Sequence, residues 1–148
     1  MISPEELRRQ GYFAQASDQV LRALAMIGSV REFKAGERLF GEGDPATHLM
    51  IVESGPVDII YRLGDDREVV ADTVTSGDVL SWSAVLAPYQ LTASAIGSKN
   101  GELIAIEGKP LREMCDAEAT LGYQLMTEIA KGLSEPLSGL RVQIAAGQ

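Results

Sequence analysis

The 148-residue chain holds one cysteine, one histidine and few aromatic side chains, 5% in all. A lone Cys115 excludes an internal disulfide and the thiolate sets that hold zinc or an iron–sulfur cluster. With His48 the single histidine, a two- or three-histidine metal centre is excluded, and any serine or cysteine nucleophile has one candidate base. No catalytic residue, metal site or cofactor is expected. Base is scarcer than acid: 13 Lys+Arg against 21 Asp+Glu leave a net charge of −8, a surface that repels a phosphate backbone. Direct DNA binding is therefore not expected. No apolar run approaches the roughly 18 residues that span a bilayer, and the start, Met1 to Glu6, carries acid where a secretory peptide needs base. The expectation is a cytoplasmic chain without membrane contact.

The residues that are present give a three-part order within one expected domain, 1–148. In the first part, 1–29, Ser3-Pro4-Glu5-Glu6 has a capping serine, proline at the first helical position and glutamate at the third, predicting a short helix ended by Gly11. Ser17-Asp18 then cap a second helix whose Val20, Leu21, Leu24 and Ile27 share one face. From 30 to 108, short β-branched or apolar runs alternate with glycine, the texture of an all-β region. Strands are predicted at Val30 to Phe33, Arg38 to Phe40, Leu49 to Glu53, Val57 to Leu63, Glu68 to Thr75, Leu91 to Ser98 and Glu102 to Glu107. Gly64-Asp65-Asp66-Arg67 and Asn100-Gly101 are read as hairpin turns, each joining antiparallel neighbours. In the last part, 109–148, Pro110 opens a helix carrying Leu111 and Met114. Beyond Asp116 a stripe of Leu121, Leu125, Ile129, Leu133, Leu137, Leu140 and Ile144 marks a long helix, with a kink or break expected at Pro136.

Two segments carry a resemblance. Ala35 to Ala46 followed by Leu49 to Val57 spaces its turn glycines as does the opening β-roll of cyclic-nucleotide-binding domains in the Crp/Fnr superfamily, which the chain resembles over nearly its whole length. The resemblance implies a mainly β fold with flanking helices: a double-stranded β-helix, or jelly-roll and cupin-like β-roll, between N-terminal helices and a long C-terminal helix. Gly77 to Leu86 looks like that family's phosphate-binding cassette, with a helix at 81–86, and Pro88 to Ala95 like the strand that closes it. Carried over, the ligand-binding positions are Gly77, Leu80, Ser81, Trp82, Ser83, Ala84, Tyr89, Thr92 and Ala93.

The pattern is divergent at two of them. Trp82 stands where binders of cyclic AMP or GMP usually place a glutamate for the ribose, and Tyr89 where they place an arginine for the phosphate. Losing a guanidinium from a sheltered phosphate site costs several kcal/mol, while amides around Ser81 to Ala84 and the helix dipole return about 1 kcal/mol. Weak or absent affinity for cyclic nucleotides follows. The two rings either stack on another nucleotide-like or aromatic ligand or plug the pocket, and the sequence leaves both open.

Three functions remain on these grounds. The first is a stand-alone, non-catalytic sensor that signals through its C-terminal helix. The superfamily's transcription regulators carry a helix-turn-helix after the long helix, and no such basic recognition helix is read here. The second is a ligand-free dimerisation scaffold with a vestigial pocket. The third, a cupin-like enzyme, needs several inward metal-binding side chains and ranks last. In the resembling family the long helix commonly forms the dimer interface, so Leu133, Leu137, Leu140 and Ile144 are expected in a homodimer contact.

Overall fold

The computed structural model describes the backbone of residues 2–146 and the side chains of residues 2–132. Both N-terminal caps form as their sequences dictate. Ser3 Oγ accepts from Glu6 N at 3.2 Å to open α1 (Pro4–Arg8), and Ser17 Oγ accepts from Val20 N at 3.2 Å to open α2 (Asp18–Ile27). Gly11 does not stop α1, which ends at Arg8; it begins a 3₁₀ turn, Gly11–Phe13, that tucks Tyr12 and Phe13 inward.

Eight strands follow among the described residues: β1 (Gly28–Phe33), β2 (Arg38–Phe40), β3 (His48–Ser54), β4 (Val57–Arg62), β5 (Glu68–Val74), β6 (Val79–Leu80), β7 (Ser94–Gly97) and β8 (Gly101–Glu107). They form two four-stranded antiparallel sheets, β1-β8-β3-β6 and β2-β7-β4-β5. This is the β-roll that the sequence predicts, with helices at both ends and no closed barrel.

Two cores share one wall: one fills the space between the sheets, and the other lies between the β1-β8-β3-β6 sheet and the helices. Side chains alternate across a strand, and β3 uses both faces: Leu49 and Ile51 pack against the helices, while Met50 and Val52 face the roll interior. β8, at the centre of the same sheet, divides likewise, Ile104 and Ile106 outward and Leu103 and Ala105 inward. Continuous apolar runs at 49–52 and 103–106 are therefore the mark of strands buried on both sides.

The Gly64 to Arg67 turn does join β4 to β5, with Asp66 at φ 65. Asn100-Gly101 does not make a hairpin. β7 pairs with β2 and β4, β8 with β1 and β3, so the connection crosses between sheets. Asn100 Oδ1 instead accepts from Ala35 N at 2.9 Å. Gly97 and Gly101 flank the Phe33 ring, and a Cβ on either would lie 2.6 Å from one of its carbons.

After β8 come α3 (Gly108–Ala117) and α4 (Ala119–Ala146), separated by the extended Glu118. Leu121, Leu125 and Ile129 bury one face of α4 against Tyr12, Phe13 and the outer core. Of the kink or break expected at Pro136, the break does not occur: the helix runs on to Ala146. The side chains of Leu133, Leu137, Leu140 and Ile144 lie outside the described residues.

Candidate functional site

The cassette segment is delivered by β6, which pairs with β3 through Met50↔Leu80 and Ile51↔Val79. Its run-in is a tight turn at Gly77, where φ is +90, the region that favours glycine. Gly77 N donates to Val52 O at 2.8 Å, and Gly77 O accepts from the Tyr12 hydroxyl at 2.9 Å. Burial first, then the Asp78 and Glu128 carboxylates, push the Tyr12 phenol up to about 12, against a smaller opposing backbone hydrogen bond at Val79. The hydroxyl thus stays protonated at neutral pH and keeps its donor role. A second tie, Gln10 Nε2 to Glu53 Oε1 at 2.8 Å, joins the same N-terminal lead to the end of β3.

Past β6 the chain turns sharply at Ser81, whose φ of 49 is left-handed and whose Oγ donates to His48 O at 2.6 Å. The expected helix over 81–86 shortens to one 3₁₀ turn, Trp82–Ala84. Its hydrogen bonds stay within the segment: Ala84 N to Ser81 O, Val85 N to Trp82 O and Leu86 N to Ser83 O, at 3.0, 3.1 and 3.3 Å. The Ala84 amide, expected to face an oxyanion, is therefore already spent, and three residues make no helix dipole of consequence.

Beyond it, Tyr89 sits at φ 61 with N donating to Leu86 O and O accepting from Ala46 N. The strand expected from Leu91 narrows to β7, because Gln90 makes only an isolated bridge to Pro45 and Leu91 bonds with Gly43 and Asp44. Arg112, on α3, closes over this region. Its Nη1 donates to Ala84 O at 2.7 Å, and its guanidinium carbon lies 4.0 Å from the Tyr89 ring centroid, a cation–π contact.

Two cavities adjoin the cassette on opposite sides. One, about 270 Å³, opens into the roll: Leu39, Met50, Ser81 and Leu91 are its buried wall, and Asp44, Pro45 and Thr47 its exposed mouth. Arg31, Phe40, Ala46 and His48 complete it, with His48 Nδ1 2.9 Å from Thr47 Oγ1. The other, about 340 Å³, is an outer groove between Val85 and Tyr89 on one side and Arg112, Cys115 and Met126 on the other. Burial foremost, with Asp116 adding to it, raises the Cys115 pKa, so this group is a thiol at neutral pH. Among the described residues, no group of three or more His, Cys, Asp or Glu is placed to hold a metal ion.

The profile for the cyclic nucleotide-binding domain matches residues 30–118. The chain belongs to that family. Among the curated relatives of this cyclic nucleotide-binding domain is the CRP-like cAMP-activated global transcriptional regulator of Mycobacterium tuberculosis, 26% identical over 129 residues. That match covers 87% of this chain and 58% of the relative, so the chain spans little more than half of the regulator's length. A solved protein of Geobacter metallireducens, assigned to the cyclic nucleotide-binding proteins, is 33% identical with a TM-score of 0.80 over 93% of this chain and 99% of that one. The sensor domain of the regulator DNR from Pseudomonas aeruginosa shares the fold at 16% identity, with TM-score 0.74 and 90% of each chain covered. The mycobacterial relative is a regulator, and no catalytic family is indicated. No helix among the described residues is long and apolar enough to cross a membrane.

Of the nine positions carried over from the resemblance, this cyclic nucleotide-binding domain brings only Ser81 to the roll cavity. Tyr89 borders the outer groove, and Trp82, half-buried, packs against the helix-side core and lines neither cavity. Leu80, Ser83, Ala84 and Ala93 are buried, Gly77 forms the run-in turn, and Thr92 is exposed. The two rings thus do not meet around one ligand volume. Among the roll residues that sequence reasoning passed over are Arg31, Leu39, Met50 and Leu91. The period-two alternation of β1 and β3, Arg31 with Phe33 and Met50 with Val52, is the signal that finds the inward face.

Proposed function

We propose that this domain is a non-catalytic regulatory module that binds cyclic AMP or cyclic GMP weakly or not at all, takes a different small ligand in its roll, and signals through its C-terminal helices. The carrying observation is electrostatic. Among the described residues lining the roll cavity, Arg31 is the one lysine or arginine, and its Nη2 already meets Glu37 Oε2 at 3.2 Å. A cyclic phosphate entering there finds a cation shared with one carboxylate and Asp44 at the mouth. The mycobacterial relative is cAMP-activated, and this chain shares its family.

The route outward runs through Arg112, which bonds the cassette carbonyl of Ala84 and stands on the helix leading to α4. A change at Ser81 to Ala84 on ligand binding would bias the position of α3, the population shift a sensor needs. Calorimetry should show no saturable heat with either cyclic nucleotide up to about millimolar concentration, and a micromolar Kd would sink the proposal.

The homodimer is part of the same reading. In the sequence, Leu133, Leu137, Leu140 and Ile144 continue the three-and-four spacing of Leu121, Leu125 and Ile129, and a second copy of the chain would cover them. Replacing Leu140 by glutamate should give a monomer by light scattering. A dimer that survives the change removes this interface.

The second reading, a ligand-free scaffold, draws on the self-satisfied cassette turn and on the Ser81 hydroxyl committed to His48 O. It predicts no response to any small molecule.

A further inference from the structure

The roll cavity holds a single lysine or arginine among the described residues, Arg31, set among apolar side chains and the polar Ser81, His48, Thr47 and Asp44. Arg31 pairs across the ladder with Leu103 and stands two residues before Phe33, and both neighbours belong to the inward-facing core. Directly opposed residues in a ladder share a face, so Arg31 is an inward guanidinium, half-buried, beside Leu39, Met50 and Leu91. Two of its contacts are identified: Nη1 donates to Leu39 O at 3.5 Å, at the limit of a hydrogen bond, and Nη2 donates to Glu37 Oε2 at 3.2 Å. A guanidinium has five N–H donors in a planar fork that fits a carboxylate with two parallel bonds. A planar anion entering the cavity can therefore be held while the Glu37 contact persists.

Size narrows the class. A volume of about 270 Å³ falls just below the range of about 300–1,000 Å³ that encloses drug-sized ligands. A compact acid whose body is one ring or a short branched chain fits within it. Two polar side chains of the wall already have partners: Ser81 Oγ with His48 O, and His48 Nδ1 with Thr47 Oγ1. They leave the apolar faces of Leu39, Met50 and Leu91 to hold the ligand's body and Arg31 to fix its charged end. Asp44, exposed at the mouth, has its Oδ2 held by Gly41 N at 2.9 Å and opposes a second negative charge on the ligand.

We propose that the roll cavity binds a small organic monocarboxylate with an apolar body, its carboxylate paired to Arg31 and its body against Leu39, Met50 and Leu91. The inference rests on the regulatory reading above and gives its unnamed ligand a chemistry.

Phenylacetate and 3-methylbutanoate, each with its neutral amide, are the probes, read by thermal shift and calorimetry on the wild-type protein. At least one acid should raise the melting temperature saturably and bind about tenfold more tightly than its amide, the order expected for a charge-assisted pair. Arg31→Gln should erase that preference, and Arg31→Lys should restore part of it. Should Arg31→Gln fail to fold, Glu37→Gln decides: removal of the competing carboxylate should tighten acid binding several-fold. Flat responses to both acids, equal affinity for acid and amide, or indifference to these substitutions would each overturn the inference. Such failures leave the cyclic-nucleotide proposal standing, whereas tight capture of cyclic AMP would sink that proposal irrespective of the acids.

Discussion

Replacing Gly101 by alanine is expected to lower the unfolding free energy by about 3 kcal/mol or more, at the upper end of what overpacking costs. A Cβ at that position would lie 2.2 Å from Ser54 O and 2.6 Å from Phe33 Cζ. Neither can step aside cheaply. Ser54 is the β3 residue paired with Glu102, and its Oγ accepts from Glu102 N at 3.1 Å, so its carbonyl is fixed by the ladder. Phe33 is 3% exposed and closed in by the inner core. Gly101 is not among the positive-φ glycines, so the demand is for space alone. Gly64→Ala is the control: nothing lies within 4 Å of its Cβ, and a change within about 0.5 kcal/mol is expected. Chemical denaturation of both variants gives the comparison, and a loss below about 1 kcal/mol at Gly101 would mean that the two strands spread readily.

Truncating Phe13 to alanine should cost about 3–5 kcal/mol, the range for removing a fully buried aromatic side chain. Phe13 is wholly inaccessible and lies in the helix-side core with Leu7, Leu21, Leu24, Leu125 and Ile129. Those residues come from both ends of the chain, so the expected effect is global: one cooperative transition at lower denaturant. The contrasting outcome is a separate early transition confined to the helices, with the main midpoint unmoved. That result would show that the N-terminal lead is an appendage to the roll.

The legible parts of this fold were those set by neighbours along the chain. Ser3 and Ser17 cap helices because a side-chain oxygen reaches an amide three residues on, and the period-two and period-3.6 patterns place most strands and all four helices. The Asn100-Gly101 turn failed because its glycine answers a tertiary demand, the closeness of Ser54 and Phe33, which a dipeptide rule does not hold. Periodicity does not place β6 since two residues carry no period, and the cassette helix came out short because Ser81 takes a left-handed turn that no preceding pattern marks.

The site was harder to see for a related reason. Trp82 and Tyr89 stood out by residue type, yet the polypeptide turns them toward the helices and the outer groove. The roll cavity is built instead from ordinary residues on four separated segments, Arg31, Leu39, Met50 and Leu91, whose meeting depends on the strand order. The resemblance to cyclic-nucleotide-binding domains gave the family, which the match over residues 30–118 shows.

β3 and β8 each serve two clients, helices on one face and the roll lumen on the other. A substitution at Met50 or Leu103 therefore reshapes the lumen while its neighbours at 49, 51, 104 and 106 go on anchoring the helical layer. Such a strand separates recognition from architecture residue by residue. New ligand chemistry can arise on one side of this wall without renegotiating the other, and the same wall carries any swelling of the lumen straight to the helices.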